Sequence, residues 1–182
     1  RARHRKFALI RSFMIVVSDT SPMTNLAAIN QLNLLYLLYG EIIIPVAVYN
    51  ELTQTTQTTI NQTVPGSREV QTLSWIKTQP VQEKQQVRKI LTSKANIDIG
   101  EAEAIILAIE LNADLIIIDE RRGRMLASSY NLKVTGLLGV LLQAKNQQAI
   151  AAVKPLMDRL IQQAEFRISN ELYQKILELA GE

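Results

Sequence analysis

Two aspartates come directly after short apolar runs that have the composition of buried strands. Asp19 follows MIVVS at residues 14–18, and Asp119 follows LIII at residues 115–118. In open parallel α/β sheets, ligands bind in the crevice beyond the carboxyl ends of the strands. One such aspartate alone is more simply a turn residue or a helix cap. Two of them at equivalent strand ends favour a shared site.

Three glutamates could complete this site. Glu51 lies within VYNEL after the predicted second strand, and the segment GEAEA supplies Glu101 and Glu103. Helix positions two apart face nearly opposite sides, so these last two should not serve one site together. Asp98 and Glu101 have the spacing of a capping box. This spacing gives Glu101 a structural role at the helix start and leaves Glu103 free for chemistry.

Acids gathered in this way predict a hard divalent metal ion. Carboxylates that lie close together repel one another, and they stay ionised at neutral pH only if a cation lies between them. The chain has no Cys, and its single His is His4, so the ligands would be oxygen atoms, which favour Mg²⁺ or Mn²⁺ over zinc. Such ions bind phosphate and generate hydroxide, which predicts phosphodiester hydrolysis. The predicted catalytic and metal-binding residues are Asp19, Glu51, Glu103 and Asp119, with Glu101 as a secondary candidate.

The elements that must position these acids alternate between short apolar runs and helical patterns. This alternation is typical of βαβ units around a parallel sheet. The predicted strands cover residues 14–18, 41–44, 115–118 and 132–135. Ser21 followed by Pro22 predicts the N-cap and first residue of a helix. Further helices are predicted from Pro45 and over residues 98–111, 121–130, 137–147, 151–163 and 170–180.

Two central segments have weaker patterns. The polar, Thr- and Gln-rich residues 53–67 predict a loop or a frayed helix end. Residues 68–92 predict helical pieces around an extended WIKTQPV segment at residues 75–81.

Length and composition indicate one soluble globular domain. The chain has 182 residues, 47% of them hydrophobic and 20% charged. Residues 1–13 contain five of the 20 Lys and Arg and no acid, so the remaining 15 face 17 acidic residues and the net charge becomes −2. We expect residues 1–13 to be an added tail or a start assigned too early, and residues 14–182 to form the domain. The apolar stretch 34–48 is too short and interrupted to span a membrane, and the lack of Cys suits a cytoplasmic protein.

The segments that carry the acids resemble PIN-domain proteins, including the VapC-type toxin nucleases of bacterial toxin–antitoxin pairs. Order and spacing match over about residues 14–147, and the helical tail is similar to a less-studied branch of that superfamily. The matching segments are IVVSDTSPMTNLA with Asp19, IIIPVAVYNEL with Glu51, IDIGEAEAIILA with Glu103, LIIIDERRGRMLA with Asp119, and then GLLGVLLQAK.

This resemblance implies a PIN-like Rossmannoid three-layer α/β/α fold with a central, mostly parallel sheet and a helical C-terminal extension. It also implies cleavage of single-stranded RNA with Mg²⁺ or Mn²⁺ held by four acids, an antitoxin as partner, and a homodimer. The third acid of the family is often Asp followed by Ala. Here the corresponding residue is Glu103 followed by Ala104, and the longer side chain leaves Glu101 open as the alternative.

Four further residues are candidates for contacts with the substrate. Ser21 matches a position that often carries a small polar residue near the first acid. It could orient Asp19, contact substrate or cap the helix. Arg121, Arg122 and Arg124 could bind RNA phosphates, or they could form a solvated helix face.

Three functions fit these patterns. The first is an endoribonuclease, as the toxin of a toxin–antitoxin pair. The second is a PIN-like nucleic-acid-binding module with weak or no activity. The third is an unrelated doubly wound domain for a small molecule, although the chain has neither G-x-G-x-x-G nor a phosphate-binding P-loop.

Overall fold

A computed structural model describes residues 14–54, 63–93 and 96–182. These residues form a five-stranded sheet in which every strand pair is parallel. The strands are β1 (Val16–Ser18), β2 (Ile42–Pro45), β3 (Ile76–Gln79), β4 (Leu115–Ile117) and β5 (Val134–Thr135). Residues 1–13, which we expected to lie outside the domain, are not among the described residues. Most of the predicted polar loop is not among them either.

The strand order is β3-β2-β1-β4-β5, with β1 in the middle. The chain therefore builds outward from β1 to β3 on one side, returns, and builds outward from β4 to β5 on the other. Val17 pairs with Ile43 of β2 and with Ile116 of β4, so β1 has neighbours on both sides. The order reverses between β1 and β4, which is the topological switch point where ligands bind in sheets of this kind.

Helices cover both faces of the sheet. One face carries α1 (Thr20–Ala28), α2 (Asn33–Tyr39), α8 (Leu137–Asn146), α9 (Lys154–Gln163) and α10 (Asn170–Ala180). The other face carries α5 (Lys84–Leu91), α6 (Ile99–Glu110) and α7 (Arg121–Ser129). Two short helices, α3 (Val46–Thr53) and α4 (Ser67–Thr72), complete the described part of the chain.

Alternate side chains of the central strands supply the two cores, because successive strand residues point to opposite faces. Val16 and Ile117 lie in the first core, whereas Val17 and Ile116 lie in the second. The expected three-layer α/β/α fold is confirmed. The C-terminal helices belong to the first core through Leu156, Met157, Leu160, Ile176 and Leu177.

The predicted start of the first helix is wrong. The N-cap is Asp19, and α1 begins at Thr20, so Ser21 is already helical. Asp19 has extended backbone angles and donates its N–H to Ile117 O at 3.0 Å, so the chain turns straight from strand to helix. Pro22 is tolerated as the third helical residue because the first backbone N–H groups of a helix have no intrahelical acceptor.

Other boundaries also differ from the sequence-based prediction. The apolar run at residues 33–39 forms α2, and the extended WIKTQPV segment contains β3. Helix α9 begins at Lys154, three residues later than predicted. Its start is fixed by Glu182, whose carboxylate accepts hydrogen bonds from Val153 N at 2.6 Å and Lys154 N at 3.0 Å.

Candidate active site

Asp19 and Asp119 lie at the same edge of the sheet. Ser18 pairs with Ile117 in parallel register, so the chain segments that follow β1 and β4 leave the sheet side by side. Asp19 is 4% exposed, and Asp119 is half-buried. The two aspartates therefore flank the switch point, as their positions after the apolar runs predicted.

Asp19 is a buried carboxyl group among other acids. Burial raises its pKa to about 8, and the charges of Asp98, Glu101 and Glu51 add to this rise, while the N–H of Thr20 opposes it. Its side chain makes no helix-capping hydrogen bond, although it occupies the N-cap position. Among the described residues, this carboxyl group is paired with no cation, and it does not cap the helix.

Glu51 reaches the same region from α3. Its carboxylate accepts a short hydrogen bond from the Thr20 hydroxyl. Burial raises its pKa, the Thr20 hydroxyl opposes this effect, and the charge of Asp98 adds to it. A Cβ at Gly100 would lie 2.8 Å from Glu51 Oε1 and 2.9 Å from Oε2, so Gly100 leaves the space that this carboxylate occupies.

Glu101 has both a structural role and a place in the acid cluster. The predicted capping box is present: Asp98 Oδ1 accepts from Glu101 N at 2.8 Å, and Glu101 Oε2 accepts from Asp98 N at 3.4 Å. Glu101 is only 2% exposed, and its Oε1 is buried without a hydrogen-bond partner. Burial raises its pKa to about 7, with added repulsion from Asp98, Glu120 and Glu51.

Glu103 projects differently from the same helix. It is half-buried, and its Oε2 accepts a hydrogen bond from Ala47 N at 2.9 Å, in the first turn of α3. Its charge contributes to the raised pKa of Glu51. Glu103 therefore joins α6 to α3 at the border of the cluster.

We call the region formed by Asp19, Glu51, Asp98 and Glu101 the acidic crevice.

Asp119 has a different environment from the acidic crevice. Its Oδ1 accepts a hydrogen bond from Leu137 N at 2.8 Å, at the start of α8, and its Oδ2 is buried without a partner. Burial raises its pKa, whereas the Leu137 N–H and the Arg124 guanidinium oppose the rise. Asp119 thus presents one oxygen fixed by a helix N-terminus and one unsatisfied oxygen.

The candidate substrate contacts are divided in space. Arg121 and Arg124 line a cavity that also contains Asp119. Arg122 is exposed on the same helix and does not line that cavity. Ser21 is half-buried in the first turn of α1, two residues after Asp19.

Sequence reasoning gave no site role to three residues that shape the crevice. Thr20 holds Glu51 through its hydroxyl, and the charge of Asp98 acts on Asp19, Glu51 and Glu101. A Cβ at Gly123 would lie 2.5 Å from Glu101 Oε1, so this glycine leaves room for the unpaired oxygen. The signal for Asp98 was its capping-box spacing, which identified a contact with Glu101 but not with the others.

The ligand atoms of the crevice suit a hard divalent ion, but the side chains are not positioned to hold one. All the candidate ligands are carboxylate oxygens, and the unsatisfied oxygens of Glu101 and Asp119 are groups that a cation would stabilise. Among the described residues, no three acidic side chains lie close enough together to hold one ion. Ligation by three acids would therefore require side-chain rotation.

The whole described architecture has a counterpart among known families. Residues 15–182 match the model of a family described as a PIN domain. The chain belongs to the PIN-domain family. PIN domains are generally nucleases and typically use divalent metal ions. No curated protein matches the chain. Within the described residues of this PIN domain, no helix is long and apolar enough to cross a membrane.

Proposed function

We propose that this PIN domain is a metal-dependent endoribonuclease that cleaves phosphodiester bonds in single-stranded RNA with Mg²⁺ or Mn²⁺. The acidic crevice carries the proposal. Asp19, Glu51 and Glu101 all have raised pKa values because burial and mutual repulsion disfavour their charged forms. A divalent cation would relieve the repulsion and compensate for the lost hydration. This arrangement lies at the switch point of the sheet, where a substrate would reach it.

The proposed ligand set is Asp19, Glu51, Asp119 and one glutamate of α6. The sequence favoured Glu103 as that glutamate. The buried unsatisfied Oε1 of Glu101 and its repulsion with Asp19 support Glu101 instead, since Glu103 Oε2 is already bound to Ala47 N. The Thr20 hydroxyl would orient Glu51, and the Leu137 N–H would orient Asp119.

A bound Mg²⁺ or Mn²⁺ would polarise the scissile phosphate and lower the pKa of a coordinated water molecule. The backbone of Asp19 is fixed between β1 and α1, and its carboxylate would be one of the metal ligands. Arg124 lies near Asp119 and would bind a phosphate of the substrate. Buried side chains around Glu101 would limit the access of water to that part of the site.

A role as the toxin of a toxin–antitoxin pair in the cytoplasm belongs to the same proposal. It is supported by the similarity of the acid-bearing segments to toxin nucleases, which also suggests a protein antitoxin and a homodimer. A small neighbouring reading frame that encodes a DNA-binding protein would be expected. A gene without such a neighbour would argue against the toxin role but not against the nuclease.

Cleavage of single-stranded RNA by purified protein tests the proposal directly. We expect cleavage with Mn²⁺ or Mg²⁺, none with EDTA, and a loss of more than ~100-fold in Asp19→Asn, because losing a ligand should cost more than losing a residue that merely orients one. Glu178→Gln is a matched control, since Glu178 is an exposed acid on α10 that pairs with Lys175. Cleavage that survives both EDTA and Asp19→Asn would overturn the proposal.

A nucleic-acid-binding module with weak or no activity is the second candidate. It is favoured by the absence of three converging acids among the described residues. RNA binding together with stabilisation by Mn²⁺, but without cleavage of any single-stranded RNA tested, would support this function over the nuclease.

A further inference from the structure

A groove extends from Asp119 toward the C-terminal helices. It has a volume of about 650 Å³, and its walls come from α7, α8 and the segment at residues 166–176. Its charged lining residues are Asp119 and three arginines, Arg121, Arg124 and Arg167. We call this feature the arginine groove.

Arg124 lies close enough to Asp119 to interact with its charge, whereas Arg121 and Arg167 have no ion-pair partner among the described residues. Within residues 14–54, 63–93 and 96–182, no salt bridge involves Arg121, Arg124 or Arg167. All three side chains are exposed. Arginines that face a groove without a salt bridge are suited to phosphate, which they can bind in a bidentate way.

The rest of the groove has the surface that bases favour. Phe166 is half-buried there, and Leu138, Leu142 and Leu172 supply apolar contacts, with Leu172 45% exposed. Single-stranded nucleic acids bind in grooves that combine cationic groups for the backbone with aromatic and apolar surfaces for the bases. A Cβ at Gly136 would lie 2.8 Å from Asp119 Oδ1 and 3.1 Å from Arg124 Nη1. The missing side chain leaves the groove open to the candidate active site at this point.

We propose that the arginine groove holds the single-stranded RNA on one side of the cleavage point, with Arg167 binding a backbone phosphate. This inference rests on the proposed function, because it assigns RNA to the groove that begins at the catalytic Asp119. It gives the C-terminal extension a part in substrate binding. A neighbouring cavity that Arg167 also borders is lined by Asp158 and Glu165, whose charges would repel RNA. The RNA strand therefore follows the wall of the groove that α7 and α8 form.

Salt dependence of RNA binding tests the role of Arg167. Affinity for a short labelled oligouridylate is measured by fluorescence anisotropy in EDTA over a range of salt concentrations, so that cleavage does not interfere. For single strands, each phosphate contact contributes about 0.7 to the slope of log affinity against log salt. We expect Arg167→Gln to weaken binding several-fold and to reduce this slope by about 0.7. Arg167→Lys should keep the slope because it keeps the charge.

Arg88→Gln is the matched control, since Arg88 is an exposed arginine on α5 in the opposite helical layer. It should bind RNA like the wild type. In cleavage assays with Mn²⁺, Arg167→Gln should raise KM and leave kcat nearly unchanged. Equal salt slopes for Arg167→Gln and Arg88→Gln would overturn the proposal. So would Arg167-dependent binding of a polyglutamate peptide without Arg167-dependent binding of RNA, which would assign the groove to a protein partner.

The outcomes for the groove and for the nuclease are distinguishable. Arg167-dependent RNA binding without any metal-dependent cleavage would support the groove and contradict the nuclease. Cleavage that depends on Asp19, together with RNA binding that ignores Arg167, would overturn the groove proposal alone.

Discussion

Asp19 and Glu182 show two opposite environments for a carboxyl group in one molecule. Burial raises the pKa of Glu182, but hydrogen bonds from Lys145 Nζ, Val153 N and Lys154 N outweigh it and lower that pKa to about 2. Asp19 is buried with only the Thr20 N–H as an opposing influence, and three acids add repulsion, so its pKa rises to about 8. One fold thus compensates a carboxylate fully at the start of α9 and leaves another uncompensated beside β1.

This difference separates stability from function. The hydrogen bonds of Glu182 join the end of α10 to α8 and to the start of α9, and they stabilise the folded state. The burial of Asp19 beside other acids destabilises the folded state. Proteins retain such destabilising arrangements at functional sites.

The largest expected effect separates Glu101 from Glu103. We expect Glu101→Gln to lower Mn²⁺-dependent RNA cleavage by more than ~100-fold, and Glu103→Gln by only about 10–100-fold, as for a residue that only supports the site. The physical reason is that Glu101 Oε1 has no partner, whereas Glu103 Oε2 is bound to Ala47 N. Initial rates of cleavage at saturating Mn²⁺ measure this, with Glu182→Gln expected at the wild-type rate. The reverse order would make Glu103 the third metal ligand.

The positions of Asp19 and Asp119 could be predicted from the sequence because the strand pattern alone determines them. Apolar runs of this kind form buried parallel strands, and the residue that follows each run must lie at the carboxyl edge. The three-layer fold follows from the same alternation of strands and helices. These features depend on local sequence and on rules of sheet topology.

The choice between Glu101 and Glu103 could not be made in that way. Helical periodicity correctly separated their directions and identified the capping box, but it could not show that α6 turns Glu101 toward Asp19. That orientation depends on Gly123, which leaves space for Glu101, and on Ala47, which binds Glu103. Both contacts join residues distant in the chain. The role of Thr20 beside Glu51 was missed for the same reason.

The second prediction concerns stabilisation by metal. At a free Mn²⁺ concentration of about 100 times Kd, binding to the folded state alone adds ~2.7 kcal/mol to the free energy of unfolding. For a protein of this size, that corresponds to a rise in Tm of about 5–10 °C. We expect this rise for the wild type and for Glu182→Gln, and a much smaller one for Asp19→Asn. Thermal unfolding followed by circular dichroism measures it, and an equal rise in all three proteins would place the bound metal outside the acidic crevice.

The third prediction concerns the pH dependence of stability without metal, which should have opposite signs for the two carboxyl groups. The pKa of Asp19 is higher in the folded state than its unfolded value of about 3.9, so the folded protein binds this proton more tightly. That contribution is fully present below about pH 4 and is lost as the pH rises through about 8. The folded pKa of Glu182 is depressed, so its contribution is present above about pH 4.3 and is lost as the pH falls toward 2.

Urea unfolding in EDTA at a series of pH values tests both signs. Asp19→Asn should be more stable than the wild type at about pH 8, and this advantage should shrink toward about pH 5, because protonating the folded wild-type carboxyl group costs less as the pH approaches its unfolded pKa of about 3.9. Glu182→Gln should be less stable than the wild type by about 1 kcal/mol near neutral pH, since it weakens the bonds to the start of α9. That deficit should shrink only below about pH 4. If the advantage of Asp19→Asn were constant over the whole range, it would not come from the charge of Asp19, and the contrast between the two carboxyl groups would lose its electrostatic basis.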